Sequence, residues 1–223
     1  DNIENVVDGD SITIADSLIS IESYDVRSER VTFKLTLVTP SVYDFFGGIS
    51  YRNIGMQLSE SKESGFRGIM LQSNTPCERT DSGLDNFLTY YSLKSNTTYY
   101  YRWVIKKNDD TYLYGPICEV NTNCVLIEKE YYDYDGYYDK NGNKITFRSW
   151  IEHYPATKTL YDDYSEIKGY EFAKGEEVTL TAHARDYWYL DSWSNTNEKD
   201  SVYTIKITSD TTITAYFKMK PYL

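Results

Sequence analysis

Hydrophobic residues in this chain recur at every second position, and that period constrains the fold more than any other feature of the sequence. Val31, Phe33, Leu35 and Leu37 alternate with Thr32, Lys34, Thr36 and Val38. Successive side chains of an extended backbone point to opposite faces, so this spacing predicts a strand with one buried face. Ile12, Ile14, Leu18, Ile19 and Ile21 precede it. Further strands are expected at 49–52, 68–72, 86–91, 98–107 and 112–120. Turn chemistry separates them at Gly47-Gly48, Ser82-Gly83, Asn108-Asp109-Asp110 and Gly115-Pro116. Polar stretches at 59–65 and 74–83 read as surface loops. A second alternating set follows: Ile145, Phe147, Ser149 and Ile151; Val178, Leu180 and Ala182; Ile205 and Ile207; Ile213, Ala215 and Phe217. Many short strands with turns between them predict an all-β chain, built as a sandwich plus a smaller β-rich module. The two sets divide near Thr122–Cys124, and 223 residues suffice for two modest cores, so domains are expected over 1–121 and 122–223.

Charge narrows the partners. Lys and Arg number 23 against 34 Asp and Glu, a net charge of −11, which argues against nucleic acid phosphates or an anionic membrane surface. No apolar run approaches the roughly 18 residues of a membrane-spanning helix, so no membrane insertion is expected within this chain. The chain begins at Asp1 rather than Met, which reads as a processed or trimmed product whose export signal lies out of view. Cys77, Cys118 and Cys124 cannot all pair with one another, and no CxxC spacing suggests a zinc site. Free thiols are expected, with one disulfide as the alternative.

Catalytic chemistry is thinly supplied. The two histidines, His153 and His183, sit beside candidate strands without a Ser or Cys nucleophile in a recognised motif. HExxH, GxSxG and glycine-rich phosphate loops are missing from the sequence. Pairs such as Asp133/Asp135 and Asp162/Asp163 are what so many acids produce by chance. The expectation is a chain that is not an enzyme and needs no cofactor. Asp139, Asn141 and Asn143 have a spacing like that of a calcium loop, but glycine is not at the sixth position and no glutamate closes the twelfth. A β-turn explains Lys140-Asn141-Gly142-Asn143 better, and no metal site is expected.

Tyrosine, with 24 residues, is the candidate for recognition. Tyr131, Tyr132, Tyr134, Tyr137 and Tyr138 crowd one short segment, and alternation cannot place every ring in a core. Exposed tyrosine offers area and a hydroxyl at low entropic cost, so these five residues are the candidate ligand-binding surface. Tyr99, Trp103 and Trp193 read as structural. Tyr99 opens a strand in which Tyr101, Trp103 and Ile105 share its face, and Trp193 stands where a large ring could plug a core.

Two stretches bear family resemblances. Leu93…Thr97-x-Tyr99-x-Tyr101, followed by Lys106 to Tyr112 and then Tyr114-Gly115-Pro116, resembles fibronectin type III domains of bacterial surface proteins over about 20–120. Ser95 departs from the family, where proline is common, and so does Phe33, where tryptophan is. The resemblance implies an immunoglobulin-like sandwich in which the corner tyrosine, Tyr99, sends its hydroxyl back to upstream backbone. The second stretch contains Lys174-Gly175-Glu176-Glu177-Val178-Thr179-Leu180-Thr181-Ala182, Ser192-Trp193, and Thr208-Ser209-Asp210-Thr211-Thr212-Ile213-Thr214-Ala215-Tyr216-Phe217. It resembles the divergent internalin B-repeat modules, related to Listeria–Bacteroides repeats, over about 145–218. It departs at His183-Ala184-Arg185-Asp186, where proline and glycine commonly lie. Together the resemblances imply an exported bacterial protein, extracellular or on the cell surface, with a lipid anchor on a removed N-terminal segment among the possible attachments. They imply a role in adhesion, protein–protein contact or spacing, with a host or bacterial surface protein or glycan as partner. The alternative is a carbohydrate-binding accessory module of an exported glycan-handling system.

Overall fold

The alternating segment at 31–37 forms a strand whose inward residues Val31, Phe33, Leu35 and Leu37 are fully buried. A computed structural model describes residues 17–132, 149–157, 159–163, 167–185, 187–196 and 199–220. Over these residues the chain is almost wholly β, and it divides into two compact units between Thr122 and Asn123. Among the described residues no helix is long and apolar enough to cross a membrane.

The first unit runs β1 (Ile19–Val26), β2 (Arg30–Leu37), β3 (Ile54–Ser59), β4 (Arg67–Met70), β5 (Cys77–Thr80), β6 (Gly83–Tyr91), β7 (Thr98–Lys106), β8 (Tyr112–Tyr114) and β9 (Cys118–Asn121). One sheet has the order β1-β2-β6-β5 and the other β4-β3-β7-β8, with β9 also pairing with β7. Every pair is antiparallel. The inward faces share one core, in which the Phe33 ring lies 4.7 Å from Tyr101 and 6.1 Å from Tyr90. Tyr99 is buried, and its hydroxyl accepts a hydrogen bond from the Lys94 backbone N–H at 3.0 Å, which ties the corner to the strand it precedes. Tyr90 donates to the Arg67 carbonyl at 2.8 Å, and burial pushes its phenol well above the ordinary tyrosine range. Gly115 is required where it stands: a Cβ there would lie 2.1 Å from Nε1 of the buried Trp103 indole.

Three segments differ from the sequence expectation. Tyr51–Asn53 is a single 3-10 turn, and the strand expected at 49–52 begins instead at Ile54. β3 is buried on both faces except at Gln57, so the alternation that betrays a half-buried strand is erased. β5, expected within a loop, is an edge strand whose four residues are all exposed, leaving no hydrophobic signature. The stretch 112–120 is two strands, because Gly115-Pro116 interrupts the ladder between β8 and β9.

The second unit contains β10 (Cys124–Tyr132), β11 (Trp150–Tyr154), β12 (Thr159–Asp163), β13 (Ile167–Phe172), β14 (Glu177–His183), β15 (Trp188–Trp193), β16 (Val202–Lys206) and β17 (Thr211–Met219). A five-stranded sheet has the order β12-β13-β10-β17-β15, and β11-β14-β16 form a three-stranded sheet. β10 and β17 are parallel; the other pairs are antiparallel. Both sheets contribute to one core of Leu126, Phe172, Val178, Leu180, Trp188, Trp193, Ile213 and Phe217. Ile205 lies on β16 beside β14, whereas Ile213, Ala215 and Phe217 belong to the other sheet. The buried Trp193 indole donates from Nε1 to the Asp200 carbonyl at 2.9 Å. None of the three cysteines is in a disulfide; Cys77 is exposed and Cys124 buried.

Candidate functional site

Tyr131 and Tyr132 are neighbours on β10 and project to opposite faces of the sheet. Tyr132 points inward and is 9% exposed, with its ring 4.9 Å from Trp188 and 5.6 Å from Phe217. Its hydroxyl donates to the Ser149 carbonyl at 3.0 Å. Tyr132 is therefore a core residue, and its place in the expected ligand-binding set is corrected. The cause is the β10–β17 register, which sets it beside the inward-facing Phe217. Tyr131 points outward and is 55% exposed. Tyr134, Tyr137 and Tyr138 lie outside the described residues, as do Asp133, Asp135, Asp139, Asn141 and Asn143.

The outward ring of Tyr131 meets a partner that the sequence does not announce. Tyr216 is its register neighbour on β17, and the two rings stand edge to face with centroids 5.5 Å apart. Lys218 follows two residues along the same outward face, with Tyr189 opposite it on β15. Pairing between β15 and β17 slips between Leu190 and Ser192, which leaves Asp191 out of the ladder and re-aims its side chain. An Asp191 carboxylate oxygen lies 3.0 Å from Lys218 Nζ. These groups surround a half-open cleft of about 220 Å³, lined by Tyr131, Asp191, Ser192, Tyr216, Phe217 and Lys218. Because Asp191 and Lys218 neutralise each other, the cleft offers aromatic surface with a polar rim and little net charge. That combination suits a neutral or weakly charged group with both apolar and hydrogen-bonding parts.

The histidines lie elsewhere in this unit. His153 Nδ1 lies 3.0 Å from an oxygen of Glu128, a carboxylate buried between the sheets. His183 Nε2 lies 2.8 Å from Glu152, and its ring stacks on Trp150 at 4.6 Å. Ser149, next to Trp150, is buried and accepts from the Arg185 N–H. Among the described residues no three His, Cys, Asp or Glu side chains gather as a metal set would.

Tyr216, Tyr189, Asp191 and Lys218 were missed in the sequence. Alternation alone marks Tyr216 and Lys218 as outward, because Ala215 and Phe217 are inward. Only the register brings Tyr216 to Tyr131, and only the bulge turns Asp191 towards Lys218.

Known structures share little sequence with the chain. PhoD is 14% identical over 53% of this chain and 23% of its own, with a TM-score of 0.30. A purple acid phosphatase from yellow lupin (Lupinus luteus) seeds is 14% identical over 56% and 23%, with a TM-score of 0.32. A marsupial T cell receptor is 9% identical over 86% and 96%, with a TM-score of 0.28. The chain thus spans 23% of the length of each of the first two. No curated protein matches it in sequence. Residues 164–221 match the family model described as the divergent InlB B-repeat domain, a match that begins after the 145 expected from sequence and takes in Trp193, Tyr216 and Lys218. Over that stretch the second unit is similar to the divergent InlB B-repeat domains.

Proposed function

We propose that the chain is a non-catalytic segment of an exported bacterial surface or secreted protein, in which a fibronectin type III-like sandwich precedes a divergent InlB B-repeat-like module that makes protein–protein contacts. InlB-repeat domains belong to bacterial surface proteins, which supports the setting. The antiparallel two-sheet sandwich and the Tyr99 corner support the reading of the first unit. The observation that carries the function is the Tyr131–Tyr216 cleft. At about 220 Å³ it falls below the roughly 300–1,000 Å³ of pockets that enclose small molecules, so it suits a side chain protruding from a partner's surface. Among the described residues the contacts of His153 and His183 are carboxylates and aromatic rings, which supports reading the aromatic face as a surface for contact.

The exposed Tyr131 beside a polar Asp191–Lys218 rim also favours a second reading, stacking against a sugar in a carbohydrate-binding accessory module. Immobilised extracellular and bacterial surface proteins, together with a glycan array, would be probed with the wild-type chain and with a Tyr131→Ala/Tyr216→Ala variant whose fold is checked by circular dichroism. A protein signal lost in the variant supports contact through this cleft, and a glycan signal lost on the same change supports the second reading. Binding that survives the double substitution removes the cleft from the account, and binding to nothing identifies the chain as a spacer.

A further inference from the structure

We infer that the outer face of the β3–β7–β8 sheet in the first unit is a carboxylate-recognition site, with Arg102 as the reading residue and an otherwise neutral, extended peptide carrying a single Asp or Glu as the ligand. Tyr99, Tyr101 and Trp103 on β7 turn into the core, so Arg102 projects outward. Its guanidinium carbon lies 4.3 Å from the centroid of Phe66, which enters from the loop leading to β4, and 3.9 Å from that of Tyr114 on β8. Its Nε donates to Gln57 Oε1 at 3.0 Å, across the β3–β7 pair. Two rings and one amide therefore hold the group in a fixed orientation.

What the site lacks is an anion. Arg27 and Arg30 pair with Asp25, Lys34 with Glu22, Lys94 with Glu60, Lys106 with Asp110 and Lys218 with Asp191. Arg102, half-buried in a chain of net charge −11, has no carboxylate partner among the described residues. Glu119 is paired with Tyr100, two residues before Arg102 on the same face of β7, and among the described residues no ion pair joins Glu119 to Arg102. Burial lowers the guanidinium's pKa, the mark of a cation whose lost hydration is only partly replaced. Both terminal nitrogens retain their donors in the planar fork that matches a carboxylate.

The surroundings define the ligand further. Among the described residues β8 ends the strand order, so its outer edge offers unpaired backbone groups to an extended segment. Its pairing length is only three residues before the Gly115-Pro116 break, so main-chain bonds alone give little affinity. Tyr112 and Tyr114 stack with centroids 6.1 Å apart and planes 7° from parallel, an aromatic shelf between that edge and Arg102. A polyanion is opposed by the field of the whole acidic chain, whereas a single carboxylate meets only the local cation.

The test uses the full chain and two capped hexapeptides of alternating Thr and Val, one with a central Glu and one with Gln in its place, titrated by two-dimensional NMR. The expected result is binding of the Glu peptide at least about tenfold tighter than the Gln peptide, as one charge-assisted, desolvated contact provides. Shifts should centre on Gln57, Arg102, Tyr112 and Tyr114. Arg102→Gln should erase the difference between the peptides, and Arg102→Lys should retain only a small part of it. Equal binding of the two peptides, or none, overturns the proposal, as does a preference that survives Arg102→Gln. A stronger response to glucuronic acid than to the Glu peptide overturns the peptide as ligand. If Arg102→Gln does not fold, the wild-type comparison of the two peptides and the location of the shifts decide alone.

Discussion

Glu128 is 2% exposed, and among the described residues neither of its carboxylate oxygens receives an aligned hydrogen bond, although His153 Nδ1 lies 3.0 Å from one of them. The contact is held by packing: the His153 ring rests 4.1 Å from Tyr170 and 5.6 Å from Phe172, and Glu128 sits on β10 two residues after the buried Leu126. Removing a carboxylate from water costs several kcal/mol, and a single contact with one imidazole nitrogen, without supporting hydrogen bonds, returns only part of it. Two consequences have opposite signs. His153→Leu strands the carboxylate without its counter-group and should cost about 3–5 kcal/mol, whereas Glu128→Met/His153→Leu, which fills the same space with apolar atoms, should be neutral or stabilising by about 1–4 kcal/mol. Urea unfolding of the full chain, followed by tryptophan fluorescence, reads this unit preferentially, because Trp150, Trp188 and Trp193 lie in it and only Trp103 lies in the other. With a slope of about 1–3 kcal/mol/M, the single variant should unfold at least about 1 M earlier than the wild type, and the double variant at or beyond the wild-type midpoint. If the double variant is as unstable as the single one, the pair is a net source of stability and the reasoning from desolvation is refuted.

Trp193→Ala should cost about 3–5 kcal/mol in the second unit, as truncation of a buried ring that also orphans the Asp200 carbonyl; an unchanged midpoint would show the ring to be dispensable for packing. Tyr99→Phe should cost the first unit about 0.5–1.5 kcal/mol, since the Lys94 N–H loses its acceptor. With a thiol reagent under native conditions, the exposed Cys77 should react first, while Cys124, buried and with its thiol pKa pushed up by that burial, should react only on unfolding. Equal rates for the two would mean that β10 opens readily.

Much of the β architecture was legible because alternation is a local signal. Val31 to Leu37, Tyr99 to Trp103 and Val178 to Ala182 each declare one buried face, and each is buried on that face. The signal fails where its physical cause fails. β3 is covered on both sides and β5 on neither, so neither strand writes a period of two into its residues. A period also says that Tyr131 and Tyr132 must part company without saying which turns inward.

That choice belongs to tertiary structure. The β10–β17 pairing joins residues some 85 positions apart and sets Tyr132 against Phe217 and Tyr131 against Tyr216. The same pairing carries Glu128 inward, against the preference of a carboxylate for water, because a strand cannot turn one residue outward without turning its neighbours. Composition and spacing thus determined that this chain forms strands and which faces of most of them are apolar. Which strands lie side by side was decided only by the packing of whole faces, and with it the Tyr131–Tyr216 cleft, the Arg102 clamp and the buried Glu128. The free energy of that packing is shared among residues too distant in sequence to leave a local mark.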